Sequence, residues 1–196
     1  IDVAATGIGK GGRAIHVLLT GGDLNVEMLG VVDIVGCDLI LTTGGMSVGE
    51  EDHIKPAVEA VGSLNVWRVR LKPGKPLAFG EVRGVPFIGC PGNPVAGFVV
   101  FLMMARPYLL RTMGLTDIDV KPMAVRADFD WLKPGDRQEF VRVRRNDEGG
   151  LDLYHTQNSQ VLSSCAWADG LVDIPVGGTV RKGDMVSYYP FCQFFA

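Results

Sequence analysis

The stretch DLILTTGGMSVGEED, residues 38–52, decides the fold. Asp38 to Thr43 is a short apolar run rich in β-formers that a glycine pair, Gly44-Gly45, stops, which predicts a buried parallel strand. Gly44 to Glu51 reads as a loop. From Asp52 to Val61 the spacing changes to helical, with Ile54, Ala57, Val58 and Val61 on one face. Strand, loop and helix together make one unit of an α/β layer. Upstream, His16 to Thr20 (HVLLT) repeats the pattern and ends at Gly21-Gly22. Downstream, Val66 to Leu71 alternates Val66, Val69 and Leu71 with Arg68 and Arg70, and Leu77 to Phe79 and Pro86 to Ile88 flank an Arg83-Gly84 turn. Asn93-Pro94 then opens a helix, with Asn as N-cap and Pro at the first helical position, where no hydrogen bond is lost. Val95 to Met104 is hydrophobic nearly all round, so this helix is expected to be largely buried, kinked by Pro107 and finished near Gly114.

These signals predict an α/β domain over residues 1–115, a parallel-type sheet flanked by helices. From Thr116 the texture changes to short alternating segments at Met123–Phe129, Glu139–Arg144, Leu151–His155, Leu171–Ile174 and Met185–Tyr189. Turn signals separate them at Lys133-Pro134-Gly135, Asn146–Gly150 and Gly177-Gly178, so residues 116–196 are expected to form a small all-β domain.

Composition narrows the function classes. The chain has 196 residues, 47% hydrophobic and 21% charged, which suits a packed globular protein and is too apolar for disorder. A formal charge of −3 argues against general nucleic-acid binding, which needs many Lys and Arg on phosphates. The longest apolar run, Val95 to Ala105, falls short of the roughly 20 residues of a membrane span, and no secretory signal pattern opens the sequence; a cytoplasmic location, away from membranes, is the expectation. Cys37, Cys90, Cys165 and Cys192 are too scattered for a zinc site or a disulfide framework, and are expected to be buried thiols.

Three Gly- and Pro-rich loops follow strands in the first domain: Gly44 to Gly49, Lys72-Pro73-Gly74-Lys75-Pro76, and Cys90-Pro91-Gly92-Asn93-Pro94. Open parallel sheets bind ligands beyond the carboxyl ends of their strands, where loops and helix N-termini converge. Glycines let backbone N–H groups approach an anion, and Lys72, Lys75, Arg68 and Arg70 concentrate positive charge there, which suits a phosphorylated small molecule. Taken singly, each loop reads first as a strand end or an ordinary turn. Glu50, Glu51 and Asp52 either cap the following helix or hold a hard cation such as Mg²⁺, and Asp23 is a second acidic candidate. Gly7 to Gly12 (GIGKGG) lacks the context of a dinucleotide fingerprint and reads as a turn segment.

Three motifs in order, TTGGMSVGEED, RLKPGKPLAFG and GCPGNPVAGF, closely resemble the molybdopterin molybdenumtransferases, including the homologous part of gephyrin, and Gln157 to Leu171 resembles their C-terminal β domain. The resemblance covers roughly Ala14 to Pro190 and implies a molybdopterin-binding-like fold. It implies insertion of molybdate into the dithiolene of adenylylated molybdopterin, with Mg²⁺ and release of AMP, in a homodimer working with other molybdenum cofactor biosynthesis proteins. On this resemblance Asp52 and Lys72 would be the acidic and basic residues at the metal and anion, Arg68 stands where a Lys is common, and Asp52 with Asp23 would hold the metal. Gly44, Gly45, Ser47, Gly49, Lys75, Pro91, Gly92, Asn93, Pro94 and Ser159 would bind substrate. The family's Thr-Gly-Asp-Glu stretch reads Thr20-Gly21-Gly22-Asp23 here, so Asp23 and Asp33 are loose equivalents, and residues 23–36 fall short of the family's crossover segment. The alternative is a molybdopterin-binding or gephyrin-like scaffold module without turnover of its own.

Overall fold

The computed structural model describes residues 3–7, 15–20, 37–44 and 54–195. The chain divides into two compact units, Ile1–Val69 with Gly74–Ile118, and Arg70–Pro73 with Asp119–Ala196.

The first unit is built on one six-stranded sheet. Its strands are β1 (Val3–Gly7), β2 (Ile15–Thr20), β3 (Leu39–Thr43), β4 (Gly62–Arg68), β6 (Pro76–Val82) and β7 (Val85–Cys90), in the order β1-β2-β3-β7-β6-β4. β2, β3 and β7 are parallel neighbours, and β1 and β6 run against theirs, so the sheet is mixed. β4 is antiparallel to β6 and therefore runs with β3 and β7. Two details differ from the sequence expectation. Val3–Gly7 is an edge strand just before the glycine-rich segment, where no strand is predicted. The second concerns β2 and β3, which pair in parallel although the sequence reads the segment between them as short for a crossover; residues 21–36 of that segment lie outside the described residues.

Apolar side chains of the sheet and of helix α1 (Ile54–Val61) meet in a core of Ile40, Ile54, Ala57, Val58, Ala78, Val82 and Phe87, with Val61 packed on its margin. The predicted face of α1 is therefore the buried one; Asp52, the predicted first residue of the helix, lies outside the described residues. Between β6 and β7, Arg83 and Gly84 both have positive φ, 50° and 83°, the two-residue turn that matches the twist of a hairpin.

After β7 the chain enters α2 (Pro94–Val100), a π-helical segment (Phe101–Ala105) and α3 (Arg106–Thr112). Pro107 has no N–H to donate, and its ring crowds the carbonyl four residues back. The helix meets this by widening rather than only bending: the Arg106 N–H bonds to the Phe101 carbonyl, five residues back. The 19 residues Pro94–Thr112 are long and apolar enough by composition to cross a bilayer. Val95, Ala96, Val99, Val100, Leu102 and Ala105 are buried but none of Arg106–Thr112 is, so the helix is buried along one side of its first half rather than largely buried as the sequence predicts.

The second unit is a five-stranded antiparallel sheet in the order β10 (Leu151–Leu153), β9 (Gln138–Arg145), β11 (Gly170–Ile174), β12 (Met185–Pro190), β8 (Met123–Arg126). A short strand, β5 (Leu71–Lys72), pairs in parallel with Gln138 and Glu139, on the edge of β9 that β10 occupies further along. The sequence reads Val66–Leu71 as one strand of the first sheet; in the structure the run breaks at Val69 and Arg70, and Leu71 is buried in the second unit. Arg70 anchors the change through its carbonyl, which accepts from the Gln138 N–H at 3.0 Å, and its guanidinium, which donates to the Asp136 carbonyl at 2.8 Å. Val125, Phe129, Val141, Val143, Leu151, Val172, Ile174 and Tyr188 form much of this unit's core. Two short helices complete it, α4 (Ser163–Trp167) and α5 (Phe191–Phe194).

Candidate functional site

The carboxyl ends of β3, β4 and β7 and the start of β6 fall on one edge of the first sheet. There two glycines touch. Gly44, at φ 89°, donates its N–H to the Cys90 carbonyl at 3.1 Å, and a Cβ on Gly92 would stand 3.0 Å from the Gly44 Cα. Only glycine at both positions allows the two strand-end loops to approach this closely. Pro91 is buried behind them, whereas Gly92, Asn93 and Pro94 are exposed. Asn93 occupies the N-cap position of α2, yet its side chain makes no capping hydrogen bond, so the predicted cap is a backbone one only. The first turn of α2 thus keeps its N–H groups clear of a side-chain acceptor, as an anion-binding helix start requires.

The same edge carries two cations. Arg68 ends β4 opposite Pro76, the Val69 N–H bonds to the Lys75 carbonyl at 3.1 Å, and both basic side chains are exposed. Continuing the β6–β7 register, in which Ala78 faces Gly89, puts Pro76 level with Pro91. Gly44, Lys75, Arg68 and the Pro91–Pro94 loop therefore share one rim of one sheet. Within it, the Thr42 hydroxyl is fully buried without a hydrogen-bond partner, and burial pushes the Cys90 thiol up to about 12, which removes it as a nucleophile. Of the other cysteines, Cys192 is exposed and Cys37 and Cys165 are half-buried, so only Cys90 fits the expectation of a buried thiol.

Lys72 and Ser159 belong to the second unit. Lys72 Nζ lies 2.9 Å from Glu139 Oε2 and 5.9 Å from the centre of the Trp131 ring, on the wall of a cavity of about 430 Å³. Lys72-Pro73 is a cis peptide. Ser159 sits in a turn held from below by Arg142, one of the most deeply buried side chains of the chain. Arg142 donates from Nε to Ser164 Oγ at 3.2 Å and from Nη2 to the carbonyls of Thr156 and Asn158 at 3.5 and 3.3 Å. Its backbone N–H and C=O are both bonded by the Gln157 amide. Asn158 Oδ1 then accepts from the Gln160 N–H at 2.9 Å, which closes the turn around Ser159. Burial lowers the pKa of Arg142, but a guanidinium stays charged.

Gly45, Ser47, Gly49, Asp52 and Asp23 lie outside the described residues. Among the described residues no group of three or more His, Cys, Asp or Glu is placed to hold a metal ion, and Asp52 and Asp23, the residues expected at the metal, are not among them. Glu139, Arg142 and Trp131 are not singled out by the sequence expectation. For Glu139 and Arg142 the signal is the strand QEFVRVRR itself: with Phe140, Val141 and Val143 all buried, β9 has no outward face over residues 139–143, so the two are buried charges that need partners.

Residues 17–111 match the family model described as a probable molybdopterin binding domain, and residues 124–191 match the MoeA C-terminal region (domain IV). The chain is 32% identical over 160 residues to a molybdopterin molybdenumtransferase of Haemophilus influenzae, an alignment covering 79% of this chain and 40% of that protein. It is 33% identical over 159 residues to the molybdenum cofactor synthesis protein cinnamon of Drosophila melanogaster, covering 76% of this chain and 25% of that one. A crystal structure of a molybdopterin biosynthesis MoeA protein from Pyrococcus horikosii superimposes with a TM-score of 0.68 at 25% identity, covering 85% of this chain and 40% of that one. The chain thus spans less than half the length of these relatives.

Proposed function

The chain belongs to the MoeA family of molybdopterin molybdenumtransferases, matching their C-terminal part, and from that membership we propose that it acts in the metal-insertion step of molybdenum cofactor biosynthesis. In this reading the substrates are molybdate and adenylylated molybdopterin. The phosphoanhydride is cleaved, AMP leaves, and the dithiolene sulfurs take molybdenum. Mg²⁺, a cytoplasmic location, a homodimer and contact with other cofactor-biosynthesis proteins are parts of the same proposal.

The observation that carries it is the rim of the first sheet. The Gly92 loop seated against Gly44, the start of α2 with no side-chain cap and the exposed Lys75 and Arg68 offer backbone donors and cations to a phosphate, in the place where open α/β sheets bind ligands. Such donors stabilise charge without reorganising as the reaction proceeds. Lys72, fixed by its own carboxylate, is assigned to the oxyanion. Ser159 is assigned to substrate from its place in the family's motif, and the Arg142 network beneath its turn supports that role by holding the backbone around it.

The test is to mix the purified chain with adenylylated molybdopterin, Mg²⁺ and molybdate, and to follow AMP release together with reconstitution of a cofactor-free molybdoenzyme. Molybdate-dependent AMP release is expected. Pterin binding without AMP release would favour the binding-module alternative, and no pterin binding would overturn the reading.

A further inference from the structure

Glu139 is a buried acid to which the proposed reaction gives no role beyond holding Lys72. It is 4% exposed, faces Lys72 across the β5–β9 pairing, and places Oε2 2.9 Å from Nζ. Gly135 packs directly on its other oxygen, so that any side chain at 135 would overlap the Glu139 carboxylate. The Lys72 side chain is by contrast 43% exposed. The carboxylate is therefore fixed in the wall of the cavity while the ammonium it holds reaches into the open. The wall also carries Lys133, Asp130 and Trp131, whose indole N–H is buried without a hydrogen-bond partner.

The geometry points to Glu139 as a resident counter-ion that sets how strongly Lys72 binds an oxyanion. An ammonium has three donors. One is spent on Glu139, and those left face the cavity, so an incoming oxyanion meets a donor already fixed in direction. The same carboxylate repels that oxyanion across a distance of roughly 6 Å, and such a repulsion at a partly solvated site is worth on the order of tenfold in affinity. Glu139 thus trades binding strength for a fixed Lys72 and lets the anion leave. Lys72 cannot simply swing away to follow an anion into solvent, since that would strand a buried carboxylate.

This inference rests on the reading that Lys72 meets the oxyanion, and the experiment separates the two. Molybdate is titrated by calorimetry into the 196-residue chain and into Glu139→Gln, Glu139→Asp, Lys72→Gln and the Glu139→Gln/Lys72→Gln double variant, each checked by thermal melting. Expected are weaker binding in Lys72→Gln, about tenfold tighter binding and a steeper salt dependence in Glu139→Gln, affinity near the starting value in Glu139→Asp, and no tightening when Lys72 is also changed. Glu139→Gln binding no tighter than the unmodified chain, with Lys72→Gln weakened, overturns the counter-ion role alone. Lys72→Gln binding as well as the unmodified chain overturns the placement of Lys72 and this inference with it. Should Glu139→Gln melt far below the others, Glu139→Asp decides between a charge effect, which it preserves, and a shape effect, which it does not.

Discussion

Gly92→Ala is the substitution that asks most of the strand-end rim. Its Cβ would stand 3.0 Å from the Gly44 Cα and 3.7 Å from the Gly44 nitrogen. Carbon atoms in contact settle at roughly 3.5–4.0 Å, so the new methyl is about half an ångström too close. Gly92 is exposed, and its φ is not in the left-handed region, so neither core loss nor backbone strain adds to the effect. The clash falls on Gly44, whose N–H holds the Cys90 carbonyl at 3.1 Å. Weakening that one bond costs at most about 1 kcal/mol of stability. The functional loss is larger. The proposed phosphate donors lie in the Gly92 loop being pushed from Gly44, and loss of one hydrogen bond to a charged phosphate, about 1.5 kcal/mol, predicts roughly a tenfold loss of pterin affinity. Fluorescence titration of adenylylated molybdopterin, with a thermal melt beside it, measures both. Unchanged pterin affinity would refute the reasoning, because it would mean that the contact between the two glycines does not set the donors.

Arg142→Met removes the donors to Ser164, Thr156 and Asn158, leaving acceptors under the Ser159 turn unpaired at about 1–3 kcal/mol each, less the desolvation cost of the lost cation. A net destabilisation of about 2–4 kcal/mol by urea unfolding is expected, with earlier proteolysis in residues 156–164 and no rescue by Arg142→Lys, which lacks the planar fork. Asp128 is held at about 2, well below the usual carboxylate range, first by the two hydrogen bonds from Arg126 and then by that from Asn146. A depressed folded-state value favours folding above the ordinary carboxylate range and loses that effect as pH falls from about 4 towards 2. The melting-temperature gap between the unmodified chain and Arg126→Met is therefore expected at pH 7 and should shrink by pH 2.5. Iodoacetamide at pH 8 should label Cys192 first and leave Cys90 unmodified until unfolding, as mass spectrometry of the peptides would show.

Much of the fold was legible because its signals are local. Hydrophobic spacing located β3, the buried face of α1 and the strands of the second sheet, and the Arg83-Gly84 turn followed from residue types that tolerate positive φ. What local signals could not give was partnership. The alternation from Val66 to Leu71 looks like one strand, and nothing in it says that Leu71 and Lys72 pair with Gln138 and Glu139. Pro107 announced a disturbance in the helix but not that a widened turn would absorb it. Asn93 has the right chemistry for a side-chain cap and stands at the N-cap position, yet no capping bond forms. At the site, glycines and prolines mark the rim because close backbone approach demands them. The buried Glu139 and Arg142 stayed hidden because a charged residue in an alternating strand reads as solvent-facing until the other face is also found to be covered.

The central claim, that the carboxyl rim of the first sheet receives the pterin phosphate, is met most directly by hydrogen–deuterium exchange of the chain with and without adenylylated molybdopterin. Slowed exchange is expected at Gly92, Asn93, Val95 and Ala96, where the proposed backbone donors lie. Slowed exchange confined to other segments, with these amides unchanged at saturating pterin, would contradict it.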